Sequence, residues 1–240
     1  MRTALDKLLL NPLTLPRRPF YRRYPFRSAA SIRSANDRGM VDFESGFFYN
    51  RVPKAANSTV VTQLTRIRFG QDVPSKQAKR LFQTPGHLAK EDIDRFDTLF
   101  KFTVVRNPFL RTLSAYLDKI ERRAMRHGAR SSFRGFVDRL EEDERYLYSN
   151  AHWAPQHALM LMPIDAFDFI GKVETLDADL GYIQSRIWPD IAESITSMKA
   201  NATNAAGKLE RYYESDLIER VRTMYRLDFE AFDYEPDLPT

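Results

Sequence analysis

Two short segments hold the residue types that bind phosphate. In RVPKAANST (51–59), Lys54 precedes Ala55, Ala56 and Asn57, and then come Ser58 and Thr59, where a helix is expected to start. An anion there would meet backbone N–H groups at the positive end of a helix, two hydroxyls and one ammonium. In VVRNPFLRTLSAY (104–116), Arg106 closes a β-branched run and Ser114 follows eight residues later. A guanidinium can fork two donors onto one phosphate, and the hydroxyl can add another from the helix flank. Two such cradles imply a ligand with two separate anionic groups. Each also has a plainer use: Ser58 and Thr59 as a helix cap after a turn, Arg106 as an ion-pair partner, Ser114 as a small packing residue. The first loop is not a Walker A motif, because the lysine comes before the small residues and G-x-x-x-x-G-K-[ST] is absent.

Such cradles work only if strands deliver both to one end of a sheet. The pattern predicts this. GFFYNRV (46–52) is an apolar, aromatic run of strand length, followed by a turn and then Val60, Val61, Leu64 and Ile67 at helix spacing. The order returns at TLFKFTVVRNPFLRTLSAYLDKI, where the run through Val105 breaks at Arg106-Asn107-Pro108. A helix follows with Leu110, Leu113, Leu117 and Ile120 on one face, Pro108 at its first position and Asn107 as its cap. AFDFIGKVETLDADLGYIQSRI (166–187) repeats the scheme weakly. Strands alternating with helices predict an α/β three-layer sandwich around a central, mainly parallel sheet. Residues 131–162 read as a helical insert and 208–232 as one long C-terminal amphipathic helix. Residues 1–40, with Pro16, Pro19, Pro25 and many arginines, read as an extended basic arm ahead of a single domain at 41–240.

RVPKAANST resembles the 5′-phosphosulfate loop, and TVVRNPFLRTLSAYLDK the 3′-phosphate motif, of carbohydrate sulfotransferases of the chondroitin, dermatan and natural-killer-epitope type and their bacterial relatives. The likeness continues at HWAPQHALM (152–160), at DFIGKVETLDADL (168–180) and through 201–235, and so covers roughly residues 46–235. It implies a P-loop-NTPase-like sulfotransferase fold, 3′-phosphoadenosine-5′-phosphosulfate as co-substrate, and a sugar or glycolipid acceptor. It assigns Lys54, Ala55, Ala56, Asn57, Ser58 and Thr59 to the 5′ side of that donor, and Arg106 with Ser114 to its 3′-phosphate. Asn201 and Thr203 match the family's N-x-T segment and are expected to cover the nucleotide. Ala55-Ala56-Asn57 stand where relatives more often carry Gly, Cys or Ser. The family's Golgi anchor and cysteine pairs are missing, which points to a bacterial, cytosolic member.

Sulfuryl transfer needs charge stabilised on the departing phosphate oxygen and a base at the acceptor hydroxyl. Lys54 suits the first task. For the base, the resemblance favours His87, since 2-O-sulfotransferase relatives have a similarly placed catalytic histidine, and His152 is its rival. His152, Trp153, Gln156 and Glu174 are the candidate acceptor contacts. Trp153 beside Pro155 equally suits a core anchor, and Glu174 near Lys172 a solvated charge pair. Four His and no Cys form no convincing metal set, so no metal is expected.

Composition excludes other classes. The absence of Cys removes disulfides and thiolate chemistry and fits a reducing compartment such as the cytoplasm. No apolar run approaches the roughly 18–20 residues that a spanning helix needs. Lys and Arg number 37 against 32 acids, and the excess gathers in residues 17–38, where seven arginines face Asp37 alone. Such an arm suits a nucleic-acid or anionic-surface binding module, including a membrane surface, which is the competing reading. No recognition helix or aromatic RNA motif accompanies it, so no nucleic-acid partner is expected. A phosphoryl-transfer kinase would lack both the Walker lysine and a magnesium carboxylate.

Overall fold

Four strands form one sheet in the order β1-β2-β3-β4: Gly39–Asp42, Phe47–Asn50, Phe100–Val105 and Phe169–Lys172. The computed structural model describes residues 10–129, 131–191 and 206–239. β2, β3 and β4 run parallel, with Tyr49 opposite Phe102 and Val104 opposite Gly171, whereas β1 is an antiparallel partner of β2. Parallel neighbours need crossovers, and helices supply them.

In chain order the helices are α1 (Pro19–Arg23), α2 (Ile32–Asn36), α3 (Asn57–Phe69), α4 (Asp92–Asp97), α5 (Pro108–Ala115), α6 (Phe133–Glu142), α7 (Leu176–Ile187), α8 (Leu209–Tyr212), α9 (Ser215–Met224) and α10 (Arg226–Ala231). Further short α-helices at Ser75–Ala78, Arg122–Arg126 and Glu144–Ser149, and several single helical turns, lie between them. The alternation of a strand divides its side chains between two cores. Phe47, Tyr49, Phe102 and Val104 pack with Val60, Val61 and Leu64 of α3 and Leu176, Leu180 and Ile183 of α7. Tyr49 stacks on Phe102 at 4.7 Å between ring centres. Phe48 and Val41 face the other way, onto Phe20 of α1 and Phe96 of α4. Helices therefore cover both faces, as the alternating pattern predicts. A third core joins Phe109 and Leu113 of α5 to α6 and to Leu217, Val221 and Phe229 near the C-terminus.

Three expectations change. The stretch 16–40 is not an extended arm. Leu15, Phe20 and Ala35 are fully buried, and Phe20 meets Phe96 edge-on at 5.1 Å. Pro16 and Pro19 sit in the first turns of short helices rather than in extended chain, which suits their fixed φ. The arginines hold this segment to the body: Arg18 Nε donates to the Gly86 carbonyl at 2.7 Å, and Arg23 pairs with Asp97 at 3.3 Å. The expected helix at 208–232 is three helices. The chain turns extended at Tyr213 and Glu214 and kinks at Tyr225, and both tyrosine hydroxyls donate to distant carbonyls, Tyr213 to Phe109 and Tyr225 to Trp153. The insert is α-helical only as far as Ser149, through α6 and a short helix at Glu144–Ser149, and after that holds a single helical turn at His157–Leu159. No described helix is long and apolar enough to cross a membrane.

Candidate functional site

Past the carboxyl ends of β2 and β3 lies a cleft of about 1350 Å³ lined by Lys54, Ser58, Thr59, Arg106, Ser114 and Asp118 among others. Both sequence cradles therefore open into one cavity. Arg106 Nη1 donates to the Lys54 carbonyl at 3.4 Å.

The first cradle is a strained loop. Lys54 and Ala56 have φ of 69° and 48°, left-handed values that cost a residue with a Cβ roughly 1–2 kcal/mol each. Ala56 is the N-cap of α3, so Asn57, Ser58 and Thr59 form its first turn, whose N–H groups lack intrahelical partners. Asn57, Ser58 and Thr59 all line the cleft. Ala55 does not; it is fully buried beneath the loop with Val52 and Val105, because the left-handed residue on either side turns its methyl into the core. Arg111, 1% exposed, holds the loop from below: Nε donates to the Pro53 carbonyl at 3.1 Å, Nη1 to Ala154 and Nη2 to Ala151, both at 2.8 Å.

The second cradle starts from a well-capped helix. Asn107 Oδ1 accepts from Phe109 N at 2.9 Å, with Pro108 at the first position of α5. Gln156 clamps the Arg106 main chain from both sides: its Oε1 accepts from Arg106 N at 3.0 Å and its Nε2 donates to Arg106 O at 2.8 Å. Asp228 of α10 in turn accepts from Gln156 N at 2.6 Å and His157 N at 2.9 Å. Glu174 accepts from Asn107 N at 3.0 Å and from the Tyr234 hydroxyl at 2.8 Å. Gln156 and Glu174, expected as acceptor contacts, thus position the Arg106 loop; Gln156 is fully buried, while Glu174 also lines the cleft. Trp153 is a core residue: its indole N–H donates to the Tyr146 carbonyl, and its ring packs on Phe136 and Tyr146.

Electrostatically the cleft is cationic and under-compensated. Lys54, Lys79, Lys119, Arg106 and Arg122 face Asp118, Glu174 and Asp177. Lys54 Nζ, 12% exposed, pairs with Asp118 at 3.1 Å. Burial pushes the Lys54 ammonium below its ordinary value; Asp118 opposes this, while Lys119 and Arg106 add to it. Burial alone would raise Asp118, but the pull of Lys54 and Lys119 outweighs it and holds the carboxyl low. Burial likewise lowers Arg106, partly offset by Glu174. Among the described residues, four buried side-chain polar atoms have no hydrogen-bond partner, and three of them, Asn57 Oδ1, Gln63 Oε1 and Arg106 Nε, belong to residues of this cleft. Buried polar atoms are rarely left unpaired, so such a concentration marks a place built for a polar ligand.

Two histidines were candidates for the base, and they part company. His152 lines the cleft. Its Nδ1 lies 2.7 Å from Asn150 Oδ1, which also accepts from His152 N at 3.1 Å. Nδ1 therefore carries the proton and Nε2 the lone pair. Burial, and then Lys119, Arg38, Lys54 and Arg111, push its pKa down to about 3, so the ring is neutral. His87 is not in the cleft lining; it sits in the Pro85–His87 turn with Nδ1 2.8 Å from Thr84 Oγ1. The turn packs against β1, and a Cβ on Gly86 would meet Leu15 and Asn36 within 2.8 Å, so the backbone of the turn is closely seated. Asn201 and Thr203 lie outside the described residues.

Sequence reading missed Asp118, Lys79, Arg111 and Asp228. For Asp118 a signal existed, since it stands four residues after Ser114, on the same helix flank. For Arg111 it was the lone charge in the helix PFLRTLSA. The other two carry none. Among the described residues no group of three or more His, Cys, Asp or Glu could hold a metal.

The sequence model of the Sulfotransferase family matches residues 37–235. Carbohydrate sulfotransferase 11 of Danio rerio is 24% identical over 81% of this chain and 66% of its own length. Carbohydrate sulfotransferase 14 of Danio rerio is 28% identical over 81% and 61%, and carbohydrate sulfotransferase 8 of Homo sapiens 25% over 87% and 59%. The chain thus spans about two thirds or less of the length of these relatives. No solved structure matches.

Proposed function

The chain belongs to the sulfotransferase family, and on that premise we propose that it transfers a sulfuryl group from 3′-phosphoadenosine-5′-phosphosulfate to a hydroxyl of a carbohydrate acceptor. The names of its relatives support the acceptor class. The observation that carries the donor assignment is Arg106, a 9% exposed guanidinium with an orphaned Nε in the same cleft as Lys54. Buried cations are normally paired, and here the pair is incomplete.

In the transfer the acceptor oxygen bonds to sulfur as the sulfur–oxygen bond to the 5′-phosphate breaks, and the hydroxyl proton leaves to a base. Arg106, with Ser114 beside it, would hold the 3′-phosphate. Ser58, Thr59 and the first turn of α3 would hold the 5′ end. Lys54 is the cation for the departing oxygen. Its present partner, the Asp118 carboxylate at 3.1 Å, occupies the place of the anion it would take. His152 is the base this geometry favours in place of His87: its tautomer is fixed by Asn150 and its free Nε2 is the proton acceptor.

The test is a calorimetric titration with 3′,5′-adenosine bisphosphate against ADP, followed by transfer of labelled sulfate from the donor to an oligosaccharide mixture. Preference for the bisphosphate is expected. Equal affinity for the two nucleotides removes the 3′ pocket and the proposal with it.

A further inference from the structure

The donor cleft and a neighbouring cavity of about 530 Å³ share Pro53, Asn57, Lys79 and His152 in their linings. His152 is the base proposed above, so this seam is where an acceptor hydroxyl would meet sulfur. Resting on that reading, we propose that Lys79 is a second catalytic cation, which holds the oxygens of the sulfuryl group itself while Lys54 serves the oxygen that departs.

Lys79 is the C-cap of the short helix Ser75–Ala78. Ala78, fully buried, packs with Val60, Val61 and Leu64 and so seats that helix against α3. The seating delivers Ser75 and Lys79 to the first turn of α3. There Ser75 Oγ donates to Ser58 Oγ at 3.2 Å, and Lys79 Nζ donates to the same oxygen at 3.3 Å. A serine hydroxyl has two lone pairs and one proton, and an ammonium has three N–H groups. With both lone pairs engaged, Ser58 has its proton left to offer an anion, and Lys79 has two further donors for an adjacent one.

Charge singles out Lys79 among the cations of the cleft. Lys54, Lys119 and Arg122 all bridge to Asp118, at 3.1, 3.1 and 3.4 Å, and Arg106 lies in the field of Glu174. Lys79 bridges no carboxylate among the described residues. Burial, then Arg51, Arg38 and Lys119, push its ammonium below the ordinary lysine value. A half-buried cation among like charges is costly, and a bound anion relieves that cost. The phosphosulfate brings two anionic groups side by side. Lys54 and the first turn of α3 answer the phosphate; Lys79, at the seam with His152, answers the sulfuryl group. During transfer the acceptor oxygen bonds to sulfur as the bond from sulfur to the 5′-phosphate oxygen breaks. The electron pair leaves with that oxygen, toward Lys54, and the hydroxyl proton goes to His152 Nε2. Lys79 exchanges no proton; it fixes the orientation of the sulfuryl oxygens between those two groups.

The test is a pair of calorimetric titrations on the wild-type protein, Lys79→Met and Lys79→Gln. One uses 3′-phosphoadenosine-5′-phosphosulfate; the other uses 3′,5′-adenosine bisphosphate, which keeps the phosphate and lacks the sulfuryl group. Both variants retain most of the side chain's length without its charge, and thermal melting checks the fold. Each should bind the phosphosulfate roughly tenfold or more weaker than wild type and the bisphosphate within about threefold of it. Labelled-sulfate transfer at limiting donor should fall at least as far as the phosphosulfate affinity. Equal weakening of both nucleotides would put Lys79 on the 5′-phosphate, and unchanged affinity for both would make it a packing or acceptor-side residue; either result overturns the inference. So does undiminished transfer, or wild-type phosphosulfate affinity in Lys79→Gln, since a neutral hydrogen-bond donor would then suffice. If the wild-type protein binds the bisphosphate no better than ADP, the donor reading falls and this inference with it. If it prefers the bisphosphate while the variants shift both nucleotides or neither, the donor reading stands and Lys79 alone is removed.

Discussion

His152 carries the sharpest residue-scale expectations. As the base, it should be dispensable for nucleotide binding and essential for turnover: His152→Ala should lower kcat by roughly 10²–10⁴-fold with bisphosphate affinity retained, whereas His87→Ala, outside the cleft, should leave kcat unchanged. Steady-state kinetics with the titration above decides between them. Its titration gives a second expectation. Burial and four cations hold the folded pKa at about 3, against an ordinary 6.5. Below pH 6.5 the unfolded chain gains a proton that the folded one refuses. The stability this residue contributes is therefore complete above that value and drains away as pH falls toward about 3. A polyanion in the cleft supplies the counter-charge those cations lack, so saturating bisphosphate should raise the His152 pKa, read from the imidazole shifts by NMR. A pKa that does not move would separate this ring from the donor's field. For Arg106, loss of a charge-assisted contact of about 1.5–3 kcal/mol should weaken the bisphosphate roughly ten- to 150-fold in Arg106→Ala. An unchanged affinity there would take Arg106 out of the binding site.

Between elements the joint is Arg111. One guanidinium on α5 reaches the loop after β2 through Pro53, and the segment bearing His152 through Ala151 and Ala154. Arg111→Leu would leave three buried carbonyls without a donor, each worth about 1–3 kcal/mol, so several kcal/mol of stability should be lost in urea unfolding. Bisphosphate binding should fall with it, since the strained Lys54 loop loses its support. Wild-type stability would mean that the loop holds itself. Here lies the boundary of what the sequence disclosed. The two cradles were readable because their causes are local: a break after a β-branched run, Asn107 before Pro108, small residues before a helix. That His152 and not His87 lines the cleft was not readable, because His152 reaches it through contacts far apart in sequence. Arg111 pulls residues 151–154 inward, and Gln156 locks onto Arg106 fifty residues away.

At the scale of the molecule, the N-terminal segment is a structural part of the sheet's cover. Phe20→Ala should cost about 3–5 kcal/mol, because the ring fills the space between Phe48 and Phe96. A chemical denaturation curve gives the value, and a loss below about 1 kcal/mol would mean that α1 is peripheral. Composition misread this segment because arginine and proline dominate its average, while a few buried residues, Leu15, Phe20 and Ala35, decide its place. The three C-terminal helices were misread for the opposite reason: their apolar spacing is continuous, and the breaks come from Tyr213 and Tyr225 reaching carbonyls elsewhere.

The sheet has two outer margins, and both are occupied. Val41 of β1 gives its N–H to the Gln83 carbonyl at 2.9 Å, and Lys172 of β4 gives its own to the Asp179 carboxylate at 2.6 Å. A strand from another molecule would have to displace these partners before it could lengthen the ladder. The aromatic strands FFYN and FKFTVV, dangerous as bare fibril seeds, are thereby kept from recruiting neighbours in crowded solution for as long as the native state persists.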